Sequence, residues 1–381
     1  MRTTKRKTAI AAKITCLLAA LFLALTASAV FAQQKVPAGP ALTLPRSQGT
    51  AGATLELPST AKQDGTTVNI PRNVPQTGQE LVIPSRQLRE QPGYQQVTVT
   101  VTDPNGTYIT GLQKDDFKLY MDGQQRPIEF FRQDTNTPVS VGILVDTSGS
   151  MQPKISQARA AIAEFLRNLN DRDDIFLFAF SSHPFLLQPF TTNHSLVMGR
   201  LGLLHAYGQT ALFDTILQGL RMVQHGRYDK KAILVVTDGM DTDSMSRVED
   251  VIALARRTGV LVYSIGIGDP NAQPLTLAIG PFIFGGDIDR VDAQTLKTLS
   301  TDTGAKTYIV RQAGDGEALR RACAEISLEL REQYTVGFLV PDPKAGGYRN
   351  LKVDVPERPA AGVRVRAGVD AGERAAASAW A

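Results

Sequence analysis

The sequence predicts an α/β protein with a mostly parallel central sheet, helices on both of its faces, and a small β unit assembled from flanking strands. Two observations carry this prediction. Between residues 138 and 332, short and almost wholly apolar runs alternate with stretches whose apolar residues recur at helical spacing. Strands buried on both faces read as continuous hydrophobic runs, and their alternation with helices points to a parallel sheet. On either side, the pattern becomes apolar–polar alternation broken by Pro, Gly and Asp-Gly turns.

The first strand of the central stretch is V-S-V-G-I-L-V-D. After Pro153 come Ile155, Ala158, Ile162, Phe165, Leu166 and Leu169, which share one helical face. I-F-L-F-A-F-S is the second strand, with P-F-L-L-Q-P-F beside it at the sheet edge. A helix over 212–224, the strand A-I-L-V-V-T-D, a helix over 246–257 and the strand V-L-V-Y-S-I-G-I-G follow. T-L-K-T-L-S-T-D-T-G is a helix with its Gly stop, K-T-Y-I-V is a strand, and a long helix over 315–331 closes the domain.

The flanks read differently. Val97, Val99 and Val101 alternate with threonines, D-P-N-G at 103–106 is a turn, and F-K-L-Y-M-D-G and P-I-E-F-F give two short strands. Beyond the closing helix, Y-T-V-G-F-L-V, Y-R-N-L-K-V-D-V and V-R-V-R-A are three more. These two sets, 93–133 and 333–369, are expected to pair with each other. Phe117, Tyr120, Phe130 and Phe131 are then expected to pack mainly inside that unit. Residues 370–381 read as a frayed, Ala-rich tail. The apolar run P-L-T-L-A-I-G-P-F-I-F-G-G at 274–286, interrupted by Pro and Gly, reads either as a hydrophobic lid near the strand-end site described below or as an edge docked against the β unit; docking is preferred, since an exposed patch of that kind invites association.

Residues 1–32 carry Arg2, Lys5, Arg6, Lys7 and Lys13 and no acid, then an uncharged stretch and V-F-A, the pattern of a cleaved secretory signal. The stretch 14–32 is also nearly long enough to act as an uncleaved membrane anchor. Residues 33–92, rich in Pro, Gly, Gln, Thr and Ser, read as a flexible lead-in. The whole chain has 41 Lys and Arg against 37 Asp and Glu, a formal charge of +4. Removing the five basic residues of the signal leaves 36 against 37, so the basicity belongs to export and gives no sign of nucleic acid. Cys323 is the one cysteine beyond the signal, which excludes an intrachain disulfide in the mature chain. It reads as a small buried helix residue.

Ligands of open α/β sheets gather beyond the carboxyl ends of the strands. Three polar loops are expected there: D-T-S-G-S with Asp146, Ser148 and Ser150; G-Q-T-A-L-F-D with Thr210; and V-T-D-G-M-D with Asp238. Two carboxylates and three hydroxyls, with no His or Cys, suit a hard cation such as Mg²⁺ and not Zn²⁺ or Cu. With few anionic donors the ion keeps net positive charge and can accept a partner's carboxylate.

Other chemistries fit less well. A serine nucleophile lacks G-x-S-x-G and an assignable base among His183, His194, His205 and His225. D-T-S-G resembles an aspartic-protease loop, but no second copy occurs to share a proton. A metal-assisted hydrolase needs further carboxylates; Asp241 and Asp243 are at hand, yet are expected to cap the helix over 246–257. The plain alternative is that Asp146, Ser148 and Ser150 merely cap the helix that follows them.

Order, spacing and strand placement together resemble the metal-ion-dependent adhesion site of von Willebrand factor type A (VWFA) domains, over about residues 138–312. The family pattern is D-x-S-x-S, then a threonine, then a T-D-G aspartate, and Asp146, Ser148, Ser150, Thr210 and Asp238 match it throughout. The resemblance implies a Rossmann-like three-layer domain holding Mg²⁺ (or Mn²⁺ or Ca²⁺). Ser148, Ser150 and Thr210 would bind the ion directly, and the aspartates directly or through water. An acidic residue of a protein partner would fill the open position. The flanks, from V-T-V-T-D-P-N-G to Q-Y-T-V-G-F, also resemble a group of secreted VWFA-related proteins of acidobacteria, with Val369 where that group suggests an aromatic. The expectation is an exported, non-enzymatic protein-binding module, periplasmic or extracellular, able to associate with the cell envelope. It has no membrane span once the signal is cleaved, and stays tethered if the signal is retained. The competing classes are a structural envelope-assembly protein without metal-dependent recognition, and a hydrolase using Asp146, Asp238 and Asp241.

Overall fold

The computed structural model describes residues 83–272, 275–279, 282–286, 290–311 and 315–371. The signal, most of the lead-in and the last ten residues lie outside the described residues. Within the lead-in as read above, residues 86–89 form a one-turn helix, α1 (Arg86–Arg89), capped by Ser85, whose hydroxyl accepts from Leu88 N–H.

The central layer is a six-stranded sheet built from β5 (Ser140–Asp146), β6 (Asp174–Phe180), β7 (Pro184–Thr191), β8 (Lys231–Thr237), β9 (Leu261–Ile267) and β12 (Thr307–Val310). Its order is β12-β9-β8-β5-β6-β7. Every pairing is parallel except β6 with β7, the antiparallel edge. The continuous apolar runs follow from burial on both faces. Val141, Ile143 and Val145 face one core with α2 (Ile155–Asn168), α3 (His194–Leu201) and α7 (Gly316–Glu329). Leu144 faces the other, with α4 (Leu212–Gln224), α5 (Val248–Thr258) and α6 (Ala293–Thr303). The α4 helix packs closely on β5 because Gly219 lacks a side chain: a Cβ there would come 2.9 Å from Leu144. Cys323 is buried in α7, and burial pushes its thiol up to about 12, which makes it a packing residue.

The flanking strands pair across the chain. β1 (Tyr94–Thr102) is antiparallel to β13 (Gln333–Leu339), and β2 (Lys118–Met121) is antiparallel to β14 (Tyr348–Asp354). The result is two four-stranded sheets, completed by β3 (Gln124–Arg126), β4 (Phe130–Gln133), β15 (Gly362–Arg364) and β16 (Gly368–Asp370). Val97, Val99, Leu119, Met121, Val336, Phe338 and Val353 fill their shared core. Phe117 packs with Phe131 and Tyr334 at ring separations of 5.2 and 5.0 Å, so these aromatics are core. Tyr120 is half-buried. Asp370, expected to open a frayed tail, instead ends β16 opposite Tyr348, because Val369 is buried in that core.

Two further elements were not anticipated from the sequence. The segment 194–201 is a helix, started by the Asn193 side chain accepting from Ser195 N–H. The apolar run near 280 is an antiparallel hairpin, β10 (Leu275–Ile279) with β11 (Phe282–Gly286), forming a two-stranded sheet of its own. Among the described residues no helix is long and apolar enough to cross a membrane.

Candidate metal centre

Parallel pairing puts the carboxyl ends of β5, β6 and β8 side by side, with Asp146 opposite Phe180 and Val145 opposite Val236. Asp146 therefore ends β5 beside Asp238, the residue following β8. The two are tied together by Thr237, whose hydroxyl donates to Asp146 Oδ2 at 2.6 Å and accepts from Gly239 N–H at 2.8 Å. Asp146 Oδ1 accepts from Ser148 N–H at 2.8 Å, closing the loop back on its own strand.

The serines do not cap a helix. Ser148 starts a 3₁₀ turn (Gly149–Met151) without a side-chain cap bond, and α2 begins only at Ile155, after Lys154. Instead Ser148 Oγ and Ser150 Oγ lie 3.1 Å apart. Ser148 is buried beside Asp146, whereas Ser150 reaches the surface, so the hydroxyl pair leads from solvent to the carboxylate.

The third loop is pinned to the first two. Tyr207 N–H donates to Thr147 C=O at 2.7 Å, Gly149 N–H to Gly208 C=O at 3.0 Å, and Ala211 N–H to Ser181 C=O at 2.7 Å. Gly208 takes a φ of +78°, which a side chain would strain. Thr210, itself buried, is held within this turn; its N–H donates to Thr242 Oγ1, and its C=O accepts from the N–H groups of Thr242 and Asp243. All three loops expected to carry the ligands thus meet at one end of the sheet.

Asp241 does not cap the helix that follows it. Its Oδ1 accepts from Leu212 N–H at 2.8 Å, Phe213 N–H at 3.3 Å and Ser244 Oγ at 2.5 Å, so it caps α4 across the loop. Asp214 of α4 returns the contact by accepting from Met245 and Ser246 N–H. The N-terminus of α5 is served by Asp250 instead, which accepts from Arg247 N–H. Asp243 is exposed.

Burial, then the neighbouring charge of Asp238, push the Asp146 carboxyl up to about 7, against the hydrogen bonds from Thr237 and Ser148. Two buried carboxylates at neighbouring strand ends are costly together unless positive charge is supplied, and Lys154 Nζ brings one such charge to 3.3 Å from Asp238 Oδ2. The all-oxygen set fits Mg²⁺, Mn²⁺ or Ca²⁺. Among the described residues no three His, Cys, Asp or Glu side chains gather as a ligand group; an ion held here would need hydroxyls for the rest of its donors.

Two residues of the centre escaped the sequence reading. Thr237 lay inside the apolar strand pattern. Lys154 is buried, with Nζ 3.3 Å from Asp238 Oδ2 and 3.2 Å from Ile267 C=O. A cation at a helix N-terminus opposes the helix dipole, and that mismatch was the one available signal.

Residues 140–315 match the von Willebrand factor type A domain family. The fold is accordingly an α/β, VWFA/Rossmann-like domain with a mostly parallel central sheet and smaller antiparallel sheets contributed by both flanks. A protein of Borreliella burgdorferi described as uncharacterized is 27% identical over 180 residues, covering 44% of this chain and 52% of its own. The chain therefore spans about half the length of that relative. Among solved structures, a von Willebrand factor type A protein from Catenulispora acidiphila aligns with 16% identity and a TM-score of 0.43, over 74% of this chain and 63% of its own. BatB from Bacteroides thetaiotaomicron aligns with 18% identity and a TM-score of 0.40, over 50% and 98%. These likenesses reach the domain and do not single out the acidobacterial group.

Proposed function

We propose that this chain is an exported, divalent-cation-dependent protein-binding module of the adhesion type. Asp146, Ser148, Ser150, Thr210 and Asp238 would hold the ion. When bound, the ion supplies a positive site that accepts an acidic residue of a partner protein. The observation that carries this reading is the pair of serine hydroxyls, 3.1 Å apart, free of capping duty and adjoining a buried carboxylate. Binding is favoured over metal-assisted hydrolysis because Asp241, the third acid such chemistry would recruit, is already engaged by two backbone N–H groups and a hydroxyl.

A second reading, a structural envelope protein that needs no ion, has one observation in its favour: Lys154 already places an ammonium against Asp238. Capture of partners from cell-envelope extract separates the two. Adhesion predicts a partner retained with Mg²⁺, lost with chelator, and lost with Asp146→Ala. Retention unaffected by chelator would favour the structural reading.

A further inference from the structure

Lys154 is 2% exposed, and its ammonium is aimed inward at the cradle. Three costs weigh against such a residue. A buried ammonium loses its hydration, the N-terminus of α2 repels it, and its four-carbon stem gives up rotamer freedom on being fixed. Among the contacts that offset them are the Asp238 carboxylate at 3.3 Å and the Ile267 carbonyl at 3.2 Å, the latter at the carboxyl end of β9. Lys154 therefore joins α2, the loop after β8 and the end of β9 through one charged group, immediately beside the proposed ligands.

We propose that Lys154 is a positioning residue, a tethered cation that holds the metal cradle in shape without an ion and weakens its affinity for one. This rests on the reading of the cradle as a cation site. With both carboxylates ionised, as ion binding requires, Asp146 and Asp238 bring two negative charges among neutral hydroxyls, and the ammonium offsets one of them. An arriving divalent cation then meets an anionic charge of one instead of two, and it must also lie near a like charge in a poorly polarisable interior. A carboxylate presented by a partner restores the missing negative charge. Ion and partner are in this way expected to bind more tightly together than either alone, each raising the affinity of the other by the same factor.

The test is titration of Mg²⁺ and Mn²⁺ into the purified wild type, Lys154→Met and Lys154→Gln, with melting curves in chelator and in excess Mg²⁺. Met keeps the length of the stem, and Gln keeps a donor for Asp238, so one neutral variant remains if the other fails to fold. Both are expected to bind the ions about tenfold more tightly than wild type, to melt lower than wild type in chelator, and to regain stability with Mg²⁺. Tighter binding is a gain that mere structural damage would not produce. Ion binding by the variants but not by wild type would support the role of Lys154 while overturning the reading of the wild-type chain as an ion-dependent binder. Equal or weaker ion binding by the variants, with wild type binding normally, would overturn the role of Lys154 and leave the cation site standing. Failure of all three proteins to bind either ion would overturn both.

Discussion

Thr237 Oγ1 stands 2.6 Å from Asp146 Oδ2, a bond between the ends of two neighbouring strands that lie 91 residues apart in sequence. The same hydroxyl accepts Gly239 N–H, so a single side chain orients the first carboxylate of the cradle and the turn that carries the second. Thr237→Val keeps the shape and removes both bonds. It leaves a buried N–H and a buried carboxylate oxygen short of a partner, at a cost of about 1–3 kcal/mol. Urea unfolding should record that loss, and Mg²⁺ affinity should fall with it; unchanged affinity would mean that Asp146 is oriented by other contacts.

Asp241 is assigned to capping. Asp241→Ala is expected to destabilise the protein by about 1 kcal/mol through the N-terminus of α4, while ion binding persists at reduced affinity because Thr210 sits just ahead of that helix. Complete loss of ion binding in a folded variant would instead make Asp241 a ligand.

At the opposite end of the sheet, Asp134 fixes the flanking β unit to the central domain. It is fully buried and lies 2.9 Å from Arg132 Nε and 2.8 Å from Lys230 Nζ, and it accepts from Thr335 Oγ1. Lys230 also donates to Leu330 C=O at 2.9 Å, at the end of the closing helix. Burial alone would raise the Asp134 carboxyl, but Lys230 and Arg132 outweigh it and hold it below its ordinary value of 3.8. A depressed carboxyl contributes stability above its unfolded value and loses it as pH falls through the folded one. Asp134→Asn should therefore cost about 3–5 kcal/mol at pH 7, and its deficit against wild type should shrink as pH drops below about 4. Urea midpoints at pH 7, 5 and 3 measure this; a deficit that stays constant would mean that Asp134 is not held ionised.

Much of the fold is legible because doubly buried strands cannot hide. The runs ending at Asp146, Phe180, Thr237 and Ile267 are almost wholly apolar, with Ser140, Asp174, Thr237 and Ser264 the buried polar exceptions besides Asp146. Pairing of the flanks was readable from the alternation of Val97, Val99 and Val101, which leaves one face needing cover. The helix over 194–201 was not, since eight residues with only Val197 and Leu201 buried leave too faint a period. The hairpin near 280 looked like an interrupted apolar loop, because both of its strands are short and the sequence between them is Gly-Pro.

In the site, hydroxyls and acids at strand ends stood out by type and spacing. Lys154 and Asp241 did not, because their roles depend on partners 84 and 29 positions away. The Asp241 error has a simple cause. A carboxylate ahead of a helix is ordinarily read as the cap of that helix, and here the loop folds back to cap its neighbour.

The central claim is that the oxygen cradle at Asp146 holds a divalent cation, and calorimetric titration of Mg²⁺ and Mn²⁺ into the folded protein tests it most directly. The expected result is saturable binding of one ion per chain in wild type, abolished in Asp146→Ala, with circular dichroism showing both proteins folded. Absence of binding in the folded wild type, or equal binding by the two proteins, would contradict it.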